Sequence, residues 1–169
     1  MRALLCKAYG MPRDLVLEDV PSPQPGKGEV LVSVKAAGVN FPDVLMIQNK
    51  YQHRPPLPFS PGYEIAGVIR ALGPDVTGLA VGDAGVAMLR FGGYAEEALV
   101  PADRFWRIPA DIDFIAAAAF PLAYGTSYHA LKDRGRLQPG ETLMVLGAAG
   151  GVGLAGVQLG RTFAMPSKN

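Results

Sequence analysis

From Glu29 to Ala37 the chain alternates: Val30, Val32, Val34 and Ala36 fall on one face, Leu31, Ser33 and Lys35 on the other. A period of two marks a β-strand. Similar short runs predict strands over Met1–Tyr9, Leu15–Val20, Glu64–Leu72, Ala84–Leu89, Tyr94–Val100 and Arg104–Ile108. Many short strands at this spacing suggest a β-barrel-like domain. The stretch Ser22-Pro-Gln-Pro-Gly-Lys-Gly28 is a rigid turn, and the four prolines between Arg54 and Gly62 force an extended, irregular path. One short helix is expected over Asn40–Gln48, with Pro42 in its first turn and Asp43 at its positive end.

The pattern changes after about residue 110. Asp113–Phe120 and Leu122–Asp133 read as helices separated by Pro121. Thr142–Leu146 reads as a buried strand without polar alternation, followed by a glycine cluster and an apolar helix from Gly151 to about Arg161. Strand, glycine turn and helix form the opening of a doubly wound α/β domain. The domain reading is therefore residues 1–112 as a β-rich domain, then 113–169 as linking helices and the start of a nucleotide-binding domain.

The glycine turn runs Gly147-Ala-Ala-Gly-Gly-Val-Gly153. It fits the dinucleotide pattern as Ala148-x-Gly150-x-x-Gly153. Gly150 lets backbone approach a pyrophosphate, Gly153 lets the helix pack tightly, and the amides of Gly151 and Val152 point at phosphate. The alternative is a tight turn that binds nothing. The residue that reads the adenosine ribose lies about 20 residues further on in this motif, and fewer residues than that follow Gly153. The chain thus reads as stopping before the second strand, with Pro166 ending the helix and the last residues looking like a truncation, a frameshift or an artefactual end.

Composition removes other classes. The 169 residues are 49% hydrophobic and 18% charged, which excludes intrinsic disorder. A net charge of +1 gives no electrostatic case for nucleic acid or acidic membranes. The uncharged stretches Phe114–Leu131 and Thr142–Gly160 are interrupted by proline or glycine and read as buried elements, not membrane spans. Gly156 and Gly160 are read as close packing of a helix on a sheet. Cys6 is the single cysteine, so no internal disulfide or multi-cysteine zinc site exists. With no targeting segment visible, a cytoplasmic location is expected.

Six motifs follow one another in order: Ala37-Gly-Val-Asn-Phe-Pro-Asp43, Tyr51 to Gly67, Val81-Gly-Asp83, Gly92-Gly-Tyr-Ala-Glu96, Gly125-Thr-Ser-Tyr-His-Ala-Leu131 and Gly147 to Gly153. Together they resemble the medium-chain dehydrogenase/reductase superfamily, in its zinc-independent quinone oxidoreductase branch. The resemblance implies a GroES-like β-barrel domain followed by a Rossmann domain, here only its beginning. It implies hydride transfer from NADPH or NADH to a small quinone or enone, with enoyl-thioester reduction or a non-catalytic fragment as alternatives. It places Asn40 and Thr126 beside the nicotinamide and Asp43 and Tyr51 around the same cleft. The cofactor-binding set is then Asn40, Thr126, Ala148, Gly150, Gly151, Val152 and Gly153, and the catalytic set Asn40, Asp43 and Tyr51. Full-length relatives are often homodimers.

No metal is expected. Zinc-dependent relatives carry a cysteine where this chain has Asn40 and a histidine where it has Tyr63, and without those ligands no catalytic zinc forms. His53 and His129 are read as packing or solvent-facing. Helix capping alone would also explain Asn40-x-x-Asp43, and Tyr51 could be a plain packing aromatic.

Overall fold

The structure is a computed structural model and describes residues 1–164. Pro166 and the rest of the expected terminal tail lie outside the described residues. Two compact units divide between Ala119 and Phe120.

The first unit contains β1 (Arg2–Leu5), β2 (Val16–Asp19), β3 (Glu29–Gly38), β4 (Glu64–Leu72), β5 (Ala84–Met88), β6 (Glu97–Pro101) and β7 (Phe105–Arg107). Its helices are α1 (Phe41–Ile47) and α2 (Phe114–Ala118). β1 and β2 form an antiparallel ribbon, and the others form one antiparallel sheet in the order β6-β3-β4-β5-β7. The sheet is open, not closed on itself. Cys6 and Phe59 exchange two backbone hydrogen bonds, and the Leu4 amide donates to the Tyr94 carbonyl, tying the segment around β1 to two loops.

β3 forms as a strand as expected, and its centre is buried on both faces: Val30 and Val32 are fully buried with Ile65, Ile69, Ala87 and Val100, and Leu31 on the other face is buried too. A second cluster of Cys6, Met46, Ile47 and Phe59 seats α1, with Tyr51 and Tyr63 against it. Ala117 and Ala118 of α2 pack on Ala66 and Val86 of the sheet. α2 starts at Asp113, whose carboxylate accepts the amides of Ile115 and Ala116 as an N-cap.

The second unit contains α3 (Pro121–Tyr128), a wider π-helical turn over His129–Arg134, and α4 (Gly151–Ala164). Here one expectation fails: Thr142–Leu146 is neither a strand nor buried. Met144 is 80% exposed and Leu146 85%. A strand is defined by a ladder with a neighbour, and no neighbour is present among the described residues. What remains is a one-sided alternation in which Leu143 and Val145 turn to α4, where glycines receive them. A Cβ on Gly160 would stand 2.4 Å from Leu143 Cδ2, and one on Gly156 3.9 Å from Val145 Cγ1.

Candidate functional site

Asn40 lies between β3 and α1 and caps the helix with extended backbone, φ −128° and ψ 155°. Pro42 in the first turn suits the fixed φ and missing donor of that position. Asp43, in the same turn, reaches back: its Oδ2 accepts the Asn40 amide at 2.9 Å and the Tyr94 hydroxyl at 2.8 Å. Its Oδ1 accepts the Gly62 amide at 3.0 Å. Asp43 is 3% exposed. Burial pushes its carboxyl above the ordinary carboxylate range, while the Tyr94 hydroxyl and the amides of Asn40, Gly62 and Tyr63 pull it back. One side chain thereby fastens the start of α1 to the chain before β4 and to the loop before β6.

Asn40 and Asp43 are brought together, and Glu64 joins them. Glu64 opens β4, is 2% exposed, and its Oε1 accepts the Asn40 Nδ2 donor at 2.8 Å. Tyr51 is half-buried and meets Tyr63 edge to face, with ring centroids 5.8 Å apart. Burial, then hydrogen bonding with Tyr51, holds the Tyr63 phenol well above its ordinary pKa. The Tyr94 phenol is raised too, by burial and by its bond to Asp43. His53 stacks on Phe91, and its Nε2 is buried with no partner among the described residues. His129 pairs with Asp133 at 2.9 Å on its own helical turn.

In the second unit the glycine turn leads directly into α4, without the strand that the pattern places before it. The Gly150 amide donates to the Gly147 carbonyl at 3.0 Å. α4 begins at Gly151, so the amides of Gly151, Val152 and Gly153 have no partner within the helix. Gly153 has no room for a side chain, since a Cβ would stand 2.2 Å from the Gly147 carbonyl oxygen. At Gly150 and Gly151 a Cβ would make only ordinary van der Waals contacts, with the Gly147 carbonyl oxygen at 3.5 Å and the Ala123 Cβ at 3.9 Å. Beside them runs a groove of about 570 Å³, lined by Ser127, Leu131, Val145, Gly147, Gly150 and Gly153. The Ser127 hydroxyl donates to the Val152 carbonyl at 2.7 Å and so holds the first turn of α4. Ala148 is exposed in the turn, and Thr126 is exposed on α3.

Sequence reasoning missed the parts that act at long range. Ser127 and Tyr94 lie within two of the six motifs, but nothing in their local sequence points to the partners they bond. Glu64 does carry one, being a charged residue at the head of an apolar run, Ile65-Ala-Gly-Val-Ile69.

Residues 26–110 match the model of the alcohol dehydrogenase GroES-like domain. A quinone oxidoreductase-like protein 2 homolog of Nematostella vectensis is 44% identical over 160 residues, covering 94% of this chain and 43% of that protein. The quinone oxidoreductase of Thermus thermophilus, described also in complex with NADPH, superposes with a TM-score of 0.85 at 38% identity, covering 97% of this chain and 51% of that one. The human synaptic vesicle membrane protein VAT-1 homolog-like protein reaches a TM-score of 0.93 at 36% identity, over 96% of this chain and 52% of that one. The chain thus spans about half the length of its relatives. No helix among the described residues is long and apolar enough to cross a membrane. The domain match, the fold and these relatives agree: the chain carries a GroES-like domain and the start of a Rossmann-like domain, and belongs to the medium-chain dehydrogenase/reductase superfamily.

Proposed function

We propose that this chain carries the binding elements of a zinc-independent, NAD(P)H-dependent reductase acting on a small quinone-type acceptor. The observation that carries the reading is the glycine turn, whose helix-initiating amides open onto the 570 Å³ groove. A groove edged by helix-initiating amides and by two glycines without steric crowding fits a pyrophosphate. Gly150, Gly151, Val152 and Gly153 would hold that group, with Ala148 at the lip of the turn. Asn40 and Thr126 would contact the nicotinamide, and Tyr51 would orient a planar acceptor. Asp43 serves by holding Asn40 in place. When bound, the nicotinamide would supply a hydride, and a quinone taking up that hydride and a proton from solvent would need no strong Lewis-acid assistance because the hydroquinone formed is aromatic. NADPH is favoured over NADH by family resemblance.

Zinc independence is supported by the two positions where relatives place ligands. Asn40 is engaged with Glu64, and Tyr63 with Tyr51. Neither offers a thiolate or an imidazole. The lone buried Cys6 suits a cytoplasmic setting.

A non-catalytic reading also has support, since the parallel sheet that forms a Rossmann crevice is not built among the described residues. Titration of the chain with NADPH, followed by amide chemical shifts, separates the two. Shifts at Gly150–Gly153 and near Asn40, with benzoquinone-dependent NADPH oxidation, support the reductase. Absence of both defeats it, and oxidation with enoyl thioesters alone redirects the acceptor.

A further inference from the structure

We propose that Glu64 is a positioning residue that locks the Asn40 side-chain amide with its NH2 group turned inward, so that a ligand meets Asn40 as a hydrogen-bond acceptor. The proposal rests on the functional reading above for the identity of the ligand, not for the lock itself.

Burying a carboxylate costs free energy that only hydrogen bonds and close charge partners offset. Glu64 nevertheless heads a strand whose next two residues, Ile65 and Ala66, are fully buried. Directly across the ladder from it stands Gly38, the last residue of β3. A Cβ on Gly38 would lie 2.2 Å from Glu64 Oε1 and 2.7 Å from its Cγ and Cδ. The acidic side chain therefore lies flat over the Gly38 α-carbon, and the missing methyl group is what lets it reach Asn40.

An asparagine amide presents a donor and an acceptor of nearly equal shape, so its orientation is set by its neighbours. At this contact Glu64 Oε1 is the acceptor and Asn40 Nδ2 the donor. The 2.8 Å contact to Glu64 Oε1 therefore fixes Nδ2 as the inward arm and Oδ1 as the other. The backbone is held as well, because the Asn40 amide donates to Asp43. Val39 and Phe41, on either side, are 80% and 73% exposed, so the residue between them is fixed where the surface is otherwise apolar and open. Oδ1 faces the Asp43 amide in the capping box, and its second lone pair selects donor groups: a primary carboxamide or a sugar hydroxyl, both of which the nicotinamide riboside moiety carries.

The test uses the chain and NADPH. In ¹H–¹⁵N spectra the Asn40 amide pair should be split, with one proton downfield and slow to exchange. Glu64→Gln should bring the pair to ordinary positions. Gly38→Ala should do the same by displacing the side chain while leaving its carboxyl group in the chain, and it covers the case in which Glu64→Gln does not fold. An Asn40 pair unmoved in the folded variants overturns the lock. For NADPH, Glu64→Gln should weaken binding about tenfold, the scale of one charge-assisted hydrogen bond. The double variant N40D/E64Q reverses the polarity of the pair, its new amide at 64 donating to its new carboxylate at 40. Since a carboxylate cannot donate, recovery of most of the lost affinity supports the acceptor role, and a double variant no tighter than Glu64→Gln overturns it. If the unsubstituted chain shows no shift with NADPH, the functional reading fails and takes the acceptor role with it, while the amide pair still decides the lock.

Discussion

The two units answer the same kind of apolar sequence in opposite ways. In the first, Val30, Val32 and Ile65 are completely buried. In the second, Thr142-Leu-Met-Val-Leu146 is at least as apolar, yet Met144 and Leu146 are among the most exposed large side chains of the chain. The difference is the supply of partners. β3 has β4 on one side and β6 on the other, so its backbone groups are paired and its side chains meet neighbours on the sheet. Residues 142–146 have α4 on one face and no strand at either edge among the described residues. Hydrophobicity states a demand for burial, and strand pairing decides whether it is met.

The largest expected effect tests that contrast. Ile65→Ala should cost ~3–4 kcal/mol, as for other buried large-to-small changes. Leu146→Ala should stay within about 0.5 kcal/mol, as exposed substitutions do. Urea unfolding followed by the single tryptophan, Trp106 in β7, measures the first-unit loss directly. Circular dichroism covers the second unit. Equal costs at the two positions would break the comparison, because they would mean that residues 142–146 find cover in solution.

What the sequence made legible follows the same division. The alternation of β3, the Pro42–Asp43 helix start and the glycine turn are local patterns, written within ten residues or so, and each is found where it was expected. Thr142–Leu146 reads as a strand and forms none, because a continuous apolar run is a strand only if another chain segment pairs with it. The open sheet, too, depends on which edges meet, and periodicity carries no such information. In the first site Asn40 and Asp43 were visible as a capping pair. Their partners were not, since Glu64 lies 24 residues from Asn40 and Tyr94 lies 51 from Asp43. Only the fold brings such groups together.

A smaller effect separates the sites by chemistry. Asp43 sits in a buried network, whereas no buried acid lines the groove of the glycine turn. Asp43→Asn should cost roughly 2 kcal/mol at neutral pH, because its new NH2 group cannot accept what the carboxylate accepted. The pH dependence has a definite sign. Burial raises the folded carboxyl above its ordinary value of 3.8. The folded state then holds the proton more tightly than the unfolded one. The stability this contributes is complete below the unfolded pKa and is lost as pH rises through the folded pKa. The gap between the unsubstituted chain and Asp43→Asn should therefore widen as pH falls from neutral towards 4. The half-buried Asp83 and the exposed Glu96, whose carboxyls are lowered by Arg107 and by Arg2 with their neighbouring amides, titrate in both proteins and cancel. A gap that stays constant or narrows on acidification would show that the hydrogen bonds outweigh burial at Asp43.

The smallest expected effect lies within α4 and compares two glycines two residues apart. Gly153 is fixed by contact, because an added Cβ would meet the Gly147 carbonyl oxygen at 2.2 Å and backbone cannot yield as a flexible side chain can. Gly153→Ala should therefore destabilise the turn. Gly151 has space, its nearest neighbour being the Ala123 Cβ at 3.9 Å. Gly151→Ala should stabilise the second unit by about 0.4–1 kcal/mol, through reduced freedom of the unfolded chain and better helix propensity. A turn shaped only for stability would have no use for glycine at 151. If the open glycine serves close approach of a phosphate, Gly151→Ala should gain helix stability and lose NADPH-induced shifts at Val152 and Gly153 in the same protein. Melting by circular dichroism and the NADPH titration, run on the same sample, read the two effects separately. A stability gain with undiminished NADPH shifts would leave Gly151 a neutral tenant of the turn and restrict phosphate binding to Gly150 and the amides beyond it.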